Sequence, residues 1–258
     1  MSFNAFTVVS QSGFYDYPQP EGSPFSLRLT LKGVSADEQI VRMADEGPLT
    51  LLAQVHGTRV LSASQAARFP QKDQADGLLI RPGDGTCGLR FADCAPVVIL
   101  SLSERPWLLA LHSGFRGTLG NITASAMKFV ASRNGAPDPD GLYAWVGPCV
   151  CGKCYSRRRD DPTTSEALGR FVPEACAKQK EFVLFDLKRQ IAQQLLDVGV
   201  PRQRIFLESQ CTYEQEELFY SHRRWAEEKK GKDRRMLLTI KTKSQPDGVI
   251  INKSAVQF

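Results

Sequence analysis

Histidine is scarce in this chain: His56, His112 and His222 are the only three among 258 residues. Any site that needs a large set of imidazoles is therefore excluded. Long apolar runs are missing as well. Stretches such as 95–102 and 107–111 are far too short to span a bilayer, which takes roughly 20 residues. The start, MSFNAFTVVSQSG, lacks the basic and sustained apolar regions of a secretory signal. Charge of one sign is in little excess, with 33 Lys and Arg against 28 Asp and Glu, a formal +5. Such a surplus mildly favours small anions and is not the footprint of a dedicated nucleic-acid binder. The seven cysteines are odd in number and irregular in spacing, so no disulfide framework is expected. A reducing cytoplasm is the expected compartment, with thiols that are structural, metal-binding or reactive. No repeat or low-complexity tract occurs.

What is present reads as one globular unit over residues 1–258, with 42% hydrophobic residues and no dividing linker. Phe25–Leu31 alternates apolar and polar residues, as a half-buried strand does. Ala36–Glu46 has a helical pattern, with Ser35 as N-cap and Glu38 three residues on. Leu49–Val55, Gly77–Ile80, Cys87–Phe91, Pro96–Ser101 and Trp107–His112 follow as strands bounded by turn residues. Helices are expected over Leu119–Arg133, Thr164–Lys178 and Asp186–Val198. Strands are expected over Leu142–Val146, Arg204–Glu208 and Met236–Lys241. Strands come in runs first and helices are interspersed later, which favours an α+β architecture over a doubly wound one.

Two of the histidines, His56 and His112, fall at strand ends before glycine-containing turns, and Cys94 sits at a third strand edge. Two imidazoles and a thiolate suit Zn²⁺ and leave a fourth position open, the arrangement of a catalytic zinc. Taken singly, each residue also has an ordinary structural reading, because isolated buried cysteines behave as small hydrophobes. Cys149-x-Cys151-x-x-Cys154 superficially resembles a thiolate cluster. A second ligand pair at zinc-finger spacing is missing, and Cys176 or Cys211 would have to come from afar, so a tight turn of small side chains is the expected reading. Cys87 and Cys176 read as packing residues, His222 as a solvent-facing neighbour of the basic segment, and Glu227–Asp233 as a solvated loop. Arg116, after the His112 turn and before a helix start, suits a phosphate or carboxylate.

Several segments occur in order: Gln54-Val55-His56-Gly57-Thr58-Arg59-Val60, Ala75-Asp76-Gly77, Ala92-Asp93-Cys94-Ala95-Pro96-Val97 and Leu111-His112-Ser113-Gly114-Phe115-Arg116-Gly117. Val146-Gly147-Pro148-Cys149, Cys154-Tyr155, Cys211-Thr212-Tyr213, Phe219-Tyr220-Ser221-His222-Arg223-Arg224 and Arg235-Met236 follow. Together they resemble the YfiH family, also called the laccase-domain or polyphenol-oxidase family. The resemblance implies a single α+β domain of layered mixed sheets flanked by helices, related to α/β/β/α cysteine-hydrolase-like folds. It implies one zinc ion on His56, Cys94 and His112. The implied activity is phosphorolysis of adenosine, inosine, guanosine or methylthioadenosine, together with adenosine deamination. The expected partners are thus a purine nucleoside and phosphate, with no nucleic acid and no membrane.

Within that frame Asp93 is expected to shuttle a proton or orient a ligand histidine, and Arg116 to position phosphate. Gln54 is a candidate partner for base or ribose. The chain departs from the family pattern at Phe115, at Ser156 and at Arg28. The extra charge of Arg28 and Arg157–Arg159 points to a more anionic substrate than a plain nucleoside. Two other readings use the same atoms. Copper could occupy the same donor set in a laccase-like oxidase, although three histidines are too few for a multicopper centre. Cys94 and His112 could form the nucleophile and base of a metal-free hydrolase, one that edits peptidoglycan precursors. A non-catalytic binding protein is the third alternative.

Overall fold

The computed structural model describes residues 3–6, 13–229 and 231–243. Short strands β1 (Asn4–Phe6) and β2 (Phe14–Asp16) precede β3 (Phe25–Thr30), where buried and exposed side chains alternate at the start. Helix α1 (Ala36–Glu46) begins where the Ser35 side chain accepts the Glu38 N–H and stops at Gly47. It buries Ala36, Ile40 and Met43, one face at helical spacing. Strands β4 (Leu49–Leu51), β5 (Val60–Ser62), β6 (Gly77–Ile80), β7 (Thr86–Phe91), β8 (Ala95–Ser101) and β9 (Trp107–Ser113) follow without an intervening helix. The middle of the chain holds α2 (Phe115–Leu119), α3 (Ile122–Asn134), β10 (Leu142–Val146), β11 (Ser156–Arg158) and α4 (Pro162–Arg170). The remainder is β12 (Cys176–Lys178), β13 (Phe182–Phe185), α5 (Leu187–Asp197), β14 (Ile205–Glu208), α6 (His222–Glu228) and β15 (Met236–Thr242).

Three sheets result, in a mixed α/β arrangement. The seven-stranded sheet runs β1-β14-β10-β8-β9-β6-β5, the five-stranded sheet β2-β3-β15-β7-β4, and the small sheet β11-β13-β12. Strands β8, β9 and β10 are buried along their whole length because both faces of the large sheet are covered. Val97, Ile99, Leu109 and Leu111 point into a core shared with α3, α5 and the small sheet. Val98, Leu100, Leu108 and Ala110 point the other way, onto Leu27, Leu29, Leu89 and Phe91 of the five-stranded sheet. Helix α1 closes the outer face of that sheet, packing Ile40 and Met43 on Leu49, Leu51 and Leu237. The layers are therefore helices, sheet, sheet, helix. Each fully buried aliphatic side chain contributes about 1.5–3 kcal/mol, so the two cores fix the strand ends on which the site stands.

Several expected elements change. The helix expected over Leu119–Arg133 is two helices, α2 and α3. Asn121 adopts a left-handed conformation (φ +57°) between them and caps α3 through the Ala124 N–H. The helix expected over Thr164–Lys178 ends at Arg170, and a 3₁₀ turn at Pro173–Ala175 leads into β12 instead. Proline at 173 can give no helical N–H and its ring clashes with the preceding turn. The strand expected over Leu49–Val55 stops at Leu51, and His222 opens helix α6 behind a Ser221 cap. In the stretch Glu227–Asp233, Lys230 lies outside the described residues.

Candidate metal centre

The centre is built by strand register. Ala95 of β8 pairs with Ser113 of β9 and Pro96 pairs with His112, so Cys94 falls opposite Gly114, just past the paired ends. A methyl group on Gly114 would lie 2.6 Å from Cys94 Sγ and 3.3 Å from His56 Cδ2. Only a residue without Cβ lets the three donors converge there. His56 arrives from the loop after β4, which the isolated bridge Ala53↔Gln74 ties to the segment entering β6. One ligand atom each from His56, Cys94 and His112 lies within 4.8 Å of the others. The two imidazole rings meet edge to face at 4.9 Å. His112 is 4% exposed, whereas His56 is exposed, so one side of the cluster faces solvent.

Asp76 organises this cluster. Its fully buried carboxylate accepts His112 Nδ1 at 2.8 Å, and the backbone N–H groups of Val55, His56 and Gly57 at 3.2, 2.9 and 2.7 Å. Burial works against its ionisation, but the His112 bond and the Gly57 and His56 amides outweigh that and hold it below the usual carboxylate range. His56, whose N–H the Asp76 carboxylate accepts, has a left-handed conformation, φ +61°. With Nδ1 engaged, the other ring nitrogen of His112 is the one that faces Cys94. Burial alone would lower the His112 pKa, but the Asp76 and Cys94 contacts raise it to about 9. Burial likewise disfavours the Cys94 thiolate, yet His112 and His56 bring its pKa down to about 7. Donors charged in this manner suit a divalent cation, and zinc-to-ligand bonds of about 2.0–2.3 Å need only a modest closing of the cluster.

The other expected site residues are not among the three converging donors. Asp93, buried and left-handed (φ +77°), spends its carboxylate on Thr212 Oγ1 (2.7 Å), Ser221 Oγ (3.0 Å) and the Arg223 N–H (2.7 Å). It fixes the turn that presents Cys94, and the carboxylate on the His112 imidazole is Asp76. The Gln54 side chain donates to Arg90 O and accepts the Arg90 N–H, at 2.7 and 2.8 Å, and so clamps its loop to β7. Arg28 lies on the five-stranded sheet in a bidentate pair with Asp16, both exposed. Arg157 bonds Asp161 and Thr163 and lies over the Phe115 ring, and Arg158 pairs with Asp160. Carboxylates thus match the charges of Arg28, Arg157 and Arg158. Arg116 is exposed on the first turn of α2, and among the described residues its guanidinium has no hydrogen bond or ion pair. His222 is half-exposed, with Nδ1 3.0 Å from Asp233.

Sequence reasoning gave Asp76 no role. Its signal was a carboxylate placed directly before a wholly apolar strand, where burial demands partners. A second group, Cys151, Cys154, Cys211 and Glu214, also gathers its ligand atoms within 4.8 Å. Clefts of about 700 and 420 Å³ border Cys151 and Gly152, and neither is lined by His56, Cys94 or His112.

The fold and this site define a layered α/β protein with two imidazoles and a thiol set for one cation at a strand edge. Residues 33–242 match the family model described as multi-copper polyphenol oxidoreductase laccase, and the chain belongs to that family. The purine nucleoside phosphorylase YlmD of Geobacillus stearothermophilus is 30% identical over 182 residues, 66% of this chain and 65% of that protein. The chain therefore spans just under two thirds of that relative's length. Adenosine deaminase RL5, from an unknown prokaryotic organism, is 26% identical over 70% of this chain and 71% of its own. The crystal structure of YlmD from G. stearothermophilus superposes with a TM-score of 0.78 at 22% identity, covering 92% of this chain and 99% of that one. Among the described residues no helix is long and apolar enough to cross a membrane.

Proposed function

We propose that the chain is a zinc-dependent purine nucleoside phosphorylase, acting on adenosine, inosine, guanosine and methylthioadenosine, and that it also deaminates adenosine. The observation that carries this reading is the donor set of His56, Cys94 and His112, converged within 4.8 Å and open on the His56 side. Three protein donors with an open vertex make a catalytic rather than a structural zinc site. The names of the phosphorylase and deaminase relatives support the substrate class. The histidine census favours zinc over a multicopper centre, since His222 is turned to Asp233.

His56, Cys94 and His112 would hold the zinc ion, which would supply Lewis-acid charge for acidifying water and stabilising developing negative charge. Asp76 holds His112 in one orientation, and Asp93 holds the Cys94 turn. In phosphorolysis the bond from ribose C1′ to the purine nitrogen breaks, a phosphate oxygen bonds to C1′, and the released nitrogen takes up a proton. Arg116, unpaired among the described residues, positions that phosphate. In deamination water replaces the exocyclic amine of adenosine, and ammonia leaves.

Product analysis of zinc-loaded protein with adenosine, with and without phosphate, tests the reading. Adenine formed only with phosphate marks phosphorolysis, inosine marks deamination, and hypoxanthine marks both in series. Turnover of none of these nucleosides would sink the proposal. Arg116→Ala is expected to raise the phosphate requirement by about tenfold, the worth of one charge-assisted contact, and to spare deamination. Equal loss of both activities would remove Arg116 from that role.

One observation favours a second reading. Cys94, His112 and Asp76 form a thiol–imidazole–carboxylate relay, with the thiol down to about 7. That is the chain of contacts a cysteine hydrolase uses. Activity that survives chelation and is abolished by thiol alkylation would select the hydrolase.

A further inference from the structure

The sequence supplies Cys151-x-x-Cys154 as half a metal site with no evident partner, and the fold brings the other half from 57 residues beyond Cys154, at Cys211-x-x-Glu214. The isolated parallel bridge Cys149↔Cys211 joins the two segments, and the Thr212 N–H donates to Cys149 O at 3.2 Å. Both halves then make the same turn. The Tyr155 N–H donates to Cys151 O at 3.0 Å, and the Gln215 N–H donates to Cys211 O at 3.0 Å. A bond from residue i+4 back to residue i places side chains i and i+3 on one side, which is why spacing of two intervening residues recurs in metal knuckles.

The donors face one another. All four ligand atoms lie within 4.8 Å, and Cys151 Sγ is 3.8 Å from Glu214 Oε2. Cys211 Sγ accepts the Cys151 N–H at 3.2 Å. A backbone N–H aimed at the sulfur in this way would support it once it is metal-bound. Tetrahedral zinc, with metal–sulfur bonds of about 2.3 Å, needs ligand separations of about 3.8 Å, so side-chain rotation of about 1 Å completes the cage. The 420 Å³ cleft lined by Cys151, Lys153, Cys176 and Glu214 gives solvent access to it.

We propose that Cys151, Cys154, Cys211 and Glu214 bind a second, structural zinc ion that fastens the two turns cradling Asp93 beneath Cys94. Soft sulfur donors select zinc over magnesium or calcium, and four protein donors close the site against substrate. The link to the first centre is short. The Val150 N–H, one residue before Cys151, donates to Asp93 O at 3.1 Å, and Thr212, one residue after Cys211, donates to Asp93 Oδ1 at 2.7 Å. Asp93 in turn immediately precedes Cys94. Binding releases the thiol protons and sets no redox step in train. The site stands on donors disjoint from His56, Cys94 and His112, so it holds whether or not the phosphorylase reading does.

The test is zinc stoichiometry by plasma mass spectrometry on full-length protein, purified and dialysed under reductant with added zinc. Wild type is expected to hold two ions per chain, His56→Ala one, and Cys154→Ser one. Because Cys154→Ser could misfold, the His56→Ala protein is also loaded with cobalt(II) and read by its sulfur-to-cobalt charge-transfer band and X-ray absorption. A shell of three sulfurs and one oxygen supports the second site. A His56→Ala protein that retains no ion, or cobalt with only nitrogen and oxygen neighbours, overturns it. A wild type with a single ion that survives His56→Ala and is lost in Cys154→Ser would uphold the second site and remove the first, so the two proposals fail separately.

Discussion

Two clusters of donors in one chain are built from opposite materials. Cys94 and His112 stand at the ends of long buried strands and His56 on the loop after β4, two of the three are imidazoles, and a buried carboxylate fixes the tautomer of one. Cys151, Cys154, Cys211 and Glu214 stand on paired turns, are rich in sulfur, and include a sulfur that accepts a backbone N–H. The first leaves a side open through exposed His56, and the second supplies four protein donors. That contrast matches the general division between catalytic zinc, which keeps a vertex for substrate or water, and structural zinc, which does not. Both clusters adjoin one turn, that of Asp93, so only a few bonds separate them.

The contrast breaks most sharply at Cys94. Cys94→Ser leaves a poor zinc ligand in the open site and is expected to abolish its ion. The associated loss is about 4 kcal/mol of charge stabilisation, roughly 10³-fold in kcat/KM, with the second site still loaded. Steady-state kinetics beside metal counts would show both; loss of both ions would erase the distinction between the sites. A smaller effect is expected of Asp76→Asn. It keeps the shape but puts an amide where three N–H groups and His112 need an acceptor, and orienting carboxylates of this type are worth about 10–100-fold in metal affinity or activity. A zinc titration that gives wild-type affinity would show that Asp76 is only a loop anchor. Gly114→Ala comes next. Its methyl would press on Cys94 Sγ, and a misplacement of the thiol by about 1 Å should reduce turnover by up to about 10²-fold while the Cys151 cluster keeps its ion.

How much of this was legible beforehand follows from which contacts are local. The apolar runs of β6 and β10 appear with their observed limits, because both faces of those strands are buried and their sequence is continuous in hydrophobicity. Ser35 and α1 were equally readable, since a cap and its N–H lie three residues apart. The small sheet was invisible: β11 and β12 are three residues each, and their pairing through β13 is a tertiary choice. His56, Cys94 and His112 could be named from strand-end positions and the family resemblance. The pairs Asp76–His112, Asp93–Thr212 and Asp93–Ser221 could not be read locally, because they join residues 36 to 128 positions apart. The same holds for the second cluster. Cys151-x-x-Cys154 is plain in the sequence, but nothing local says that Cys211 crosses to it along the bridge with Cys149.

The subtlest expected difference concerns thiol reactivity once a chelator has removed any metal. In the open cluster, burial disfavours the Cys94 thiolate, but the nearby His112 and His56 imidazoles prevail and set the thiol near 7. In the closed cluster burial pushes Cys154 and Cys211 up, and the neighbouring Cys151 thiol adds to the rise. Thiolates are the species that iodoacetamide alkylates. As pH rises, alkylation of Cys94, followed by peptide mass spectrometry, should therefore reach half its limiting rate near pH 7, well before Cys154 or Cys211 begins to react. Asp76→Asn sharpens the comparison. Without the carboxylate, His112 loses the contact that raises its own pKa toward 9, so less imidazolium faces the sulfur at neutral pH. The Cys94 midpoint should then move upward, toward that of an ordinary thiol, while the Cys154 and Cys211 profiles stay in place. A Cys94 midpoint that does not move would mean that His56 alone, and not the Asp76–His112 pair, holds the sulfur in its charged form.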